Sequence, residues 1–524
     1  MRSSREKYLL YIGVVVAVLP VIIMRDFTPA NELRYLSIAD EALRNHTFFA
    51  FTNHGAIYAD KPPLYIWIIM MCKCLVGKYY MWMLSLFSLI PALGILRVMD
   101  NWTKEEMGSE SRNLARIMTI TGGLYLVCAL TIRMDMLMTF FIVLALKEAW
   151  KIMQGSTQRD IQVRRLRLSL FVFLAVFTKG PLGFLIPLCS TAVFVFLISN
   201  NKNKARLFFH VWNWQVWGAM LLLCAAWFAA TYAEGGSAYL NNLLFHQTIG
   251  RAVNTFHHNN PFYYYAICIW YCLAPWSLFV IGIFIAALRK KVVKSDLQKF
   301  IMTIAATTFV LLSCISSKLQ IYMLPAVPFL TYSAAMFMPR FIESTWLKAA
   351  LAFPAFVLLL SLPAIYITSI IGKVNYLSNG MVYASATVLT LTGGYSLYIC
   401  CRKSIYSPSR VINHIGVGML MAVFVAAFAF PEIDKVIGYG DICEAAMEAS
   451  KKYDITDFRI WRIGKAQNID VYLKQKVTVM PDDEIPVTET ARGYIIVTKS
   501  EDVKYFRGKQ SKKVGPYAIV FFSN

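Results

Sequence analysis

The chain of 524 residues is 57% apolar and 16% charged, and it carries a formal charge of +22. Its mean hydropathy of +0.52 is too high for a soluble protein of this length, so the composition predicts a polytopic membrane protein. Lysines and arginines fill short gaps between apolar runs instead of lining one face or tail. That distribution indicates membrane topology and argues against a nucleic-acid partner.

Thirteen apolar runs come close to the length of about twenty residues that crosses a bilayer core. They cover approximately residues 8–24, 79–97, 114–132, 135–153, 168–178, 182–199, 211–232, 263–287, 299–316, 321–338, 347–371, 381–400 and 411–430. The run 63–76 is shorter and contains Lys73, which predicts an interfacial or re-entrant helix. The expected fold class is therefore an all-α polytopic membrane protein, with a small α/β domain at its C-terminus.

Basic clusters occupy alternate gaps between these runs, which places the N-terminus and the basic gaps on the cytoplasmic side. The other gaps then face outward together. After a transmembrane domain at 1–431, hydropathy falls, and an odd number of crossings puts a soluble α/β domain at 432–524 outside. The expected elements of that domain are a helix at 441–452 and strands at 458–463, 476–479, 494–498 and 517–522.

The first outward loop, residues 25–62, is long and contains an amphipathic segment at 31–45. Apolar side chains favour one face of this segment, while its charged residues lie largely off that face. The pattern predicts a helix lying on the membrane surface.

The outward gaps also hold ionisable residues at the ends of apolar runs. Such charges are costly unless they meet one another or a charged ligand. A phosphate on a long lipid fits this arrangement, because Lys and Arg neutralise its oxygens while the tail lies among the helices. Sugar transfer from such a lipid would also need acidic residues near the anomeric carbon, as a base or as metal ligands. The residues concerned are Glu32, Asp60, Lys61, Asp135, Lys179, His246, Arg251, His257, His258 and Lys318.

Six motifs occur in an order that resembles the ArnT-type glycosyltransferases, which are GT-C membrane enzymes related to the protein O-mannosyltransferases. The motifs are Asn-Glu-Leu-Arg-Tyr (31–35), Tyr-Ala-Asp-Lys-Pro-Pro-Leu (58–64), Met-Asp (134–135), Thr-Lys-Gly (178–180), His-His-Asn-Asn-Pro-Phe-Tyr-Tyr-Tyr (257–265) and Ser-Lys-Leu-Gln-Ile-Tyr-Met-Leu-Pro (317–325). The resemblance covers roughly residues 8–340. It implies a GT-C fold and sugar transfer from a polyprenyl phosphate, with aminoarabinose moved to lipid A in the name-giving members and mannose moved to Ser/Thr in the cousins.

The resemblance further implies which carboxylates are catalytic. In the family an Asp-Glu pair precedes x-Arg-Tyr in the first loop, and here Asn31 replaces the Asp. An amide can form hydrogen bonds but cannot accept a proton, so the expectation moves to Glu32. Asp135 is the second candidate, and Asp60 completes the catalytic set.

A metal and a phosphate site are implied in the same way. In the family an acid before Lys-Pro helps a later His to hold a divalent metal, here Zn, Mg or Mn. Asp60 matches the acid and His246 is the expected partner, with His257 or His258 as alternatives. The expected contacts of the donor phosphate are Lys61, Arg34, Lys179, Arg251, Lys318 and Tyr322.

The implied partners are a polyprenyl-phosphate-sugar donor, an acceptor that is lipid A, another glycolipid or a protein, and membrane lipids. The implied location is a bacterial-type plasma (inner) membrane. Simpler roles stay open: Arg34 as a snorkelling side chain, Lys179 and Lys318 as helix-end charges, and Asp135 as a structural ion pair with Arg133. A transporter or lipid flippase is the alternative function, although neither an internal repeat nor a midplane charge pair is visible.

Overall fold

A computed structural model gives the fold and describes residues 2–155, 157–245, 260–372, 375–464, 466–483, 493–506 and 508–522. Helices dominate the first four fifths of the chain. The helices that lead up to residue 245 are α1 (Arg2–Met24), α2 (Glu32–Asn45), α3 (Leu64–Val76), α4 (Met81–Trp102), α5 (Ser109–Ile120), α6 (Gly123–Leu130), α7 (Met134–Gln154), α8 (Gln158–Lys179), α9 (Leu182–Val193), α10 (Lys204–Val211) and α11 (Trp214–Asn241).

The helices that follow residue 260 are α12 (Tyr264–Cys272), α13 (Ser277–Arg289), α14 (Asp296–Cys314), α15 (Val327–Phe337), α16 (Thr345–Leu359), α17 (Ser361–Ile371), α18 (Gly380–Cys401), α19 (Pro408–Ala427), α20 (Phe430–Ile437), α21 (Gly440–Tyr453) and α22 (Asp470–Leu473). A π-helical turn occupies Phe194–Ile198, and 3₁₀ turns occupy Gln320–Ala326, Met338–Arg340, Asn375–Ser378, Ala466–Ile469 and Ser500–Tyr505. The short strands are β1 (Thr52–Asn53), β2 (Ala56–Ile57), β3 (Phe458–Ile460), β4 (Thr478–Val479), β5 (Tyr494–Lys499), β6 (Gln510–Val514) and β7 (Tyr517–Phe522).

Each of the thirteen apolar runs lies on a helix or on consecutive helical segments. Within the described ranges, six helical segments are long and apolar enough to cross a membrane, and nine spans result if each of three bent pairs counts once. One of these pairs, α12 and α13, is bent by 119°. The multi-pass character of the protein is therefore confirmed, whereas the total of thirteen crossings stays a prediction.

The centre of the bundle is α15, whose eleven residues are all buried. Two of its polar side chains have partners: the Tyr332 hydroxyl donates to the Leu96 carbonyl at 3.1 Å, and Thr119 and Thr331 share a hydrogen bond of 2.6 Å. Apolar side chains on the outside of the bundle, such as Leu222, are instead exposed. A broad exposed apolar surface is favourable only against lipid, so the outer helices face the membrane.

The C-terminal domain contains a mixed five-stranded sheet in the order β4-β3-β5-β7-β6. Strand β3 pairs in parallel with β4 and β5, while β7 pairs antiparallel with β5 and β6. Apolar side chains of the sheet, including Ile495 and Ile519, pack with Ile442 of α21. The predicted helix and four strands are present with shifted ends. Strand β6 was not predicted, and the boundary between residues 431 and 432 stays a prediction.

The first loop, residues 25–62, folds into α2 and a β1–β2 hairpin, and protein covers most of α2 where the sequence predicts contact with the membrane surface. Ten of its fourteen residues are buried. Leu33 and Leu36 belong to one hydrophobic cluster with Tyr65 of α3 and with Ile442 of the C-terminal domain. The amphipathic helix is correct, but protein covers the apolar face that was assigned to lipid.

Asp26, directly after α1, joins the first loop to the C-terminal domain. Its carboxylate accepts hydrogen bonds from the Tyr472 hydroxyl at 2.5 Å and from the Gly440 amide at 3.1 Å. Its own amide donates to Asp434 at 2.7 Å. A Cβ at Gly438 or Gly440 would lie within 3.0 Å of the Asp26 carboxylate, so both glycines give this side chain room.

The stability of this junction is expected to depend on pH through Asp434. Burial raises the pKa of Asp434 from its ordinary value of 3.8 to about 6, against the opposing hydrogen bond from the Asp26 amide. Since the folded state holds this proton more tightly than the unfolded state, the stabilisation is complete below about pH 4 and is lost as pH rises through 6. Hydrogen exchange at residues 434–444 should therefore accelerate over that interval, and Asp434→Asn should flatten the profile. An unchanged profile in the variant would contradict the assignment.

Candidate active site

A buried carboxylate, Asp135, lies at one end of the bundle between two cations. It forms an ion pair with the ammonium of Lys179, and its second oxygen is 3.4 Å from Arg133 Nε. Asp135 is only 1% exposed. The Lys179 ammonium also lies 4.6 Å from the centre of the Tyr322 ring, which is a cation–π distance. Three predicted site residues from three distant segments are thus in contact.

Helix ends create this arrangement. Helix α7 begins at Met134, so Asp135 stands in its first turn, and α8 ends at Lys179. The two helices pack together as antiparallel neighbours. An acid near a helix N-terminus and a base near a C-terminus are each favoured by the helix dipole, and here the two charges also meet each other.

Further positive charge gathers around this pair. Lys61 and Arg133 both lie within electrostatic range of Lys179. Lys61 follows the first-loop hairpin, and its ammonium is 3.2 Å from the carbonyl oxygen of Asp60. Two ammonium groups and one guanidinium thus gather around the buried carboxylate of Asp135, an arrangement that suits an anionic ligand.

Tyr239, near the end of α11, fixes the loop segment that leads to Asp60. Its hydroxyl donates to the carbonyl of Tyr58 at 2.9 Å and accepts from the amide of Phe51 at 3.2 Å. Glu234 on the same helix accepts from the amide of Phe48 at 2.6 Å. Helix α11 therefore holds both sides of the hairpin that precedes the predicted catalytic residues.

Lys318 lies between α14 and the 3₁₀ turn that leads into the central helix, and it is 4% exposed. Its backbone carbonyl accepts a hydrogen bond from the side-chain amide of Asn260, Nδ2, at 3.2 Å. The Tyr265 hydroxyl donates to the next carbonyl, that of Leu319, at 3.2 Å. These bonds fix the segment that carries both Lys318 and Tyr322 at the Lys179 end of the bundle.

Arg34 lies on α2 with its guanidinium 5.9 Å from the ring centres of Tyr35 and Tyr58. It reaches the side-chain oxygen of Asn31 at 3.5 Å. Tyr58 leads directly to Asp60 along the chain, so these contacts join the amide that replaces the family's acid to the second half of the first loop.

Glu32 is the most completely hydrogen-bonded of the predicted carboxylates. Arg25 donates to both of its oxygens, at 2.7 and 2.8 Å. The amides of Thr28 and Ile132 donate to it at 2.7 and 2.8 Å. The residue is 1% exposed. Four such donors occupy both carboxylate oxygens, which favours a positioning role over proton transfer.

The structure describes only some of the residues that are predicted to bind a metal. His246, Arg251, His257 and His258 lie outside the described residues. In the described ranges, no group of three or more His, Cys, Asp or Glu side chains is arranged to hold a metal ion. Asp60 alone does not form a metal site.

Sequence reasoning missed Arg25 and Tyr239 as supports of the site and left Arg133 outside the phosphate set. Arg25 follows the first apolar run directly, where a charge at a helix end should have prompted a search for its partner. Tyr239 carries no such signal, since its role depends on the hairpin it contacts.

No protein-family model matches the chain. An uncharacterized protein from Aquifex aeolicus (strain VF5) is 23% identical over 315 residues, which are 59% of this chain and 59% of that protein. The alignment thus spans less than two thirds of that relative.

The crystal structure of ArnT from Cupriavidus metallidurans bound to undecaprenyl phosphate matches with a TM-score of 0.78 at 15% identity, and the match covers 99% of this chain and 98% of that one. The chain has the ArnT fold. The apo state of the same ArnT matches with a TM-score of 0.77 at the same identity and coverage. Because the coverage of ArnT is nearly complete, the likeness includes the C-terminal domain as well as the bundle, and the predicted GT-C fold class is confirmed.

Proposed function

We propose that this protein is a membrane glycosyltransferase that moves a sugar from a polyprenyl-phosphate donor to an envelope acceptor. The observation that carries the proposal is the buried cationic site around Asp135 and Lys179, in a chain with the fold of an ArnT that was crystallised with undecaprenyl phosphate. The acceptor class comprises lipid A, other glycolipids and proteins. The proposed location is the extracytoplasmic face of a bacterial-type inner membrane, with the N-terminus in the cytoplasm.

The donor phosphate would be held by the cations that meet at this end of the bundle. Lys61, Lys179 and Lys318 come from three segments, and Arg133 adds a fourth positive charge near Lys179. Tyr322 lies against Lys179 and lines the same region. The lipid tail would lie along the apolar outer helices. Arg34 and Arg251 complete the proposed phosphate contacts.

In the reaction the bond between the anomeric carbon and the phosphate oxygen breaks, and a bond from that carbon to an acceptor oxygen forms. The electron pair of the broken bond stays on the departing phosphate, which becomes more negative. Preorganised cations stabilise charge that develops in a transition state, so Lys179 and Lys318 would lower the barrier. Asp135 would hold the Lys179 ammonium in place for this task.

The need for a base depends on the acceptor. A phosphate acceptor is already anionic, whereas a hydroxyl acceptor must give its proton to a carboxylate. Asp60, which directly precedes Lys61 of the cationic site, is our candidate for that proton. Asp60 would also be a ligand of a divalent metal ion, together with His246, or with His257 or His258.

The test is sugar transfer by the purified protein in lipid vesicles that contain a polyprenyl-phosphate sugar. The acceptor is supplied as an extract of the envelope fraction. Mass spectrometry should then detect free polyprenyl phosphate and an acceptor that carries the sugar. Lys61→Met should reduce the rate about 100-fold, the usual cost of removing one charge-stabilising group. Lys299→Met, which changes a half-buried lysine paired with the exposed Asp296, is the matched control. Movement of the lipid across the vesicle without any covalent product would establish a flippase instead.

A further inference from the structure

Among the described residues, side-chain hydrogen bonds join the C-terminal domain to the first outward loop at three separate points. The first is Asp26, which accepts from Tyr472 and Gly440 of the domain. Burial and the adjacent Asp26 raise the pKa of the Tyr472 phenol above its ordinary range, so the phenol keeps its proton and remains a donor. Phe27 packs beside the same ring, with 6.3 Å between ring centres.

The second contact lies in the middle of the loop. Ser37 of α2 donates through its hydroxyl to the Asp470 carboxylate at 2.9 Å, and both residues are buried. Helix α2 begins five residues earlier, at Glu32, so this bond holds the helix that carries Glu32 and Arg34.

The third contact is at the tip of the hairpin. The His54 ring nitrogen Nε2 is 3.3 Å from the side-chain oxygen of Asn468. The tip itself is shaped by Glu41, which accepts from the amides of His54 and Gly55 at 2.6 and 2.9 Å. Burial by itself would raise the pKa of the Glu41 carboxyl. The two amide bonds and one from the Thr52 hydroxyl outweigh burial, so the pKa is below its ordinary value and Glu41 remains a charged acceptor.

All three contacts stand close in sequence to residues of the proposed site. Asp26 adjoins Arg25, which binds Glu32, and the hairpin continues into Tyr58, Asp60 and Lys61. The domain residues involved fall within a short stretch around α22, apart from Gly440 and from Asp434, which accepts from the Asp26 amide. One rigid edge of the C-terminal domain therefore meets the beginning, middle and end of the loop.

We propose that Tyr472, Asp470 and Asn468 are positioning residues, through which the C-terminal domain sets the first loop in register with Lys179 and Lys318 for sugar transfer. This inference rests on the proposed function. The loop supplies Asp60 and Lys61, whereas the bundle supplies the other cations. A loop displaced by about 1 Å would misalign the two halves, a shift that can cost up to about 100-fold in rate.

The experiment compares Tyr472→Phe and Asp470→Ala with two matched variants in the full chain. Tyr453→Phe removes a hydroxyl whose 3.2 Å bond to Gln510 stays within the domain, and Asp470→Asn keeps an acceptor for Ser37. We expect the first two variants to lower kcat about tenfold, with the donor KM within about twofold, since most phosphate contacts lie on the bundle. Hydrogen exchange of residues 25–62 should accelerate in the same two variants only.

Normal kcat and normal loop exchange in both Tyr472→Phe and Asp470→Ala would overturn the inference, as would an equal loss in Tyr453→Phe. Asn468→Ala provides an independent variant at the hairpin tip, where faster exchange near residues 52–57 is expected. If the unaltered protein transfers no sugar, the proposed function fails. The exchange measurement still tests, in that case, whether the domain holds the loop.

Discussion

Replacement of Lys179 by Met should abolish sugar transfer almost completely, with a loss of at least about 100-fold in kcat. Two effects combine in this variant. The donor phosphate would lose a cation at the reacting end, and Asp135 would lose its nearest partner in a buried position. Breaking a buried ion pair by removing one partner typically costs about 3–5 kcal/mol of stability. The rate should be measured in vesicles, together with the thermal unfolding midpoint.

The double variant Lys179→Met with Asp135→Asn separates the two effects. Removing both charges relieves the unpaired carboxylate, so we expect the unfolding midpoint to recover towards that of the unaltered protein. Activity should not recover, because the phosphate still lacks its cation. Full transfer in the double variant would mean that the pair is only a structural ion pair at a helix end, the simpler reading that the sequence leaves open.

The membrane architecture was predictable because its signal is local. Each apolar run records in consecutive residues that a helix faces lipid or the bundle core, and each run lies on helical structure. The alternation of basic gaps then placed Asp135, Lys179 and Tyr322 at one end, where the structure brings them into contact. The apolar runs could not show the 119° break between α12 and α13, because hydropathy carries no information about the direction of a helix axis.

The errors concern features that depend on what covers a surface. Amphipathicity shows that one face of α2 is apolar, but it cannot distinguish lipid from the C-terminal domain that in fact packs there. Strand β6 contains Gln510, Ser511, Lys512 and Lys513, a polar pattern without alternation, because it is an exposed edge strand that pairs, among the described strands, with β7 alone. Such a strand is defined by its pairing with a neighbouring strand in the folded protein, which its own sequence pattern does not reveal.

Arg25→Met is the second variant with a large expected effect, because it leaves the buried carboxylate of Glu32 without its cation. Arg25 donates to both carboxylate oxygens, so we expect a loss of about 3–5 kcal/mol in the free energy of unfolding. Glu32 also accepts from the Ile132 amide, which immediately precedes Arg133. The first loop should therefore loosen together with the segment before Asp135, and transfer should fall with it.

A double-mutant cycle with Glu32→Gln decides whether Glu32 is a base or a positioning residue. A positioning role predicts that Glu32→Gln lowers stability and activity together, and that adding Arg25→Met costs little more, since the two residues form one unit. A catalytic role predicts loss of kcat without loss of stability in Glu32→Gln alone. The four donors around Glu32 favour the first outcome, because proton transfer would require the carboxylate to give up hydrogen bonds that occupy both of its oxygens.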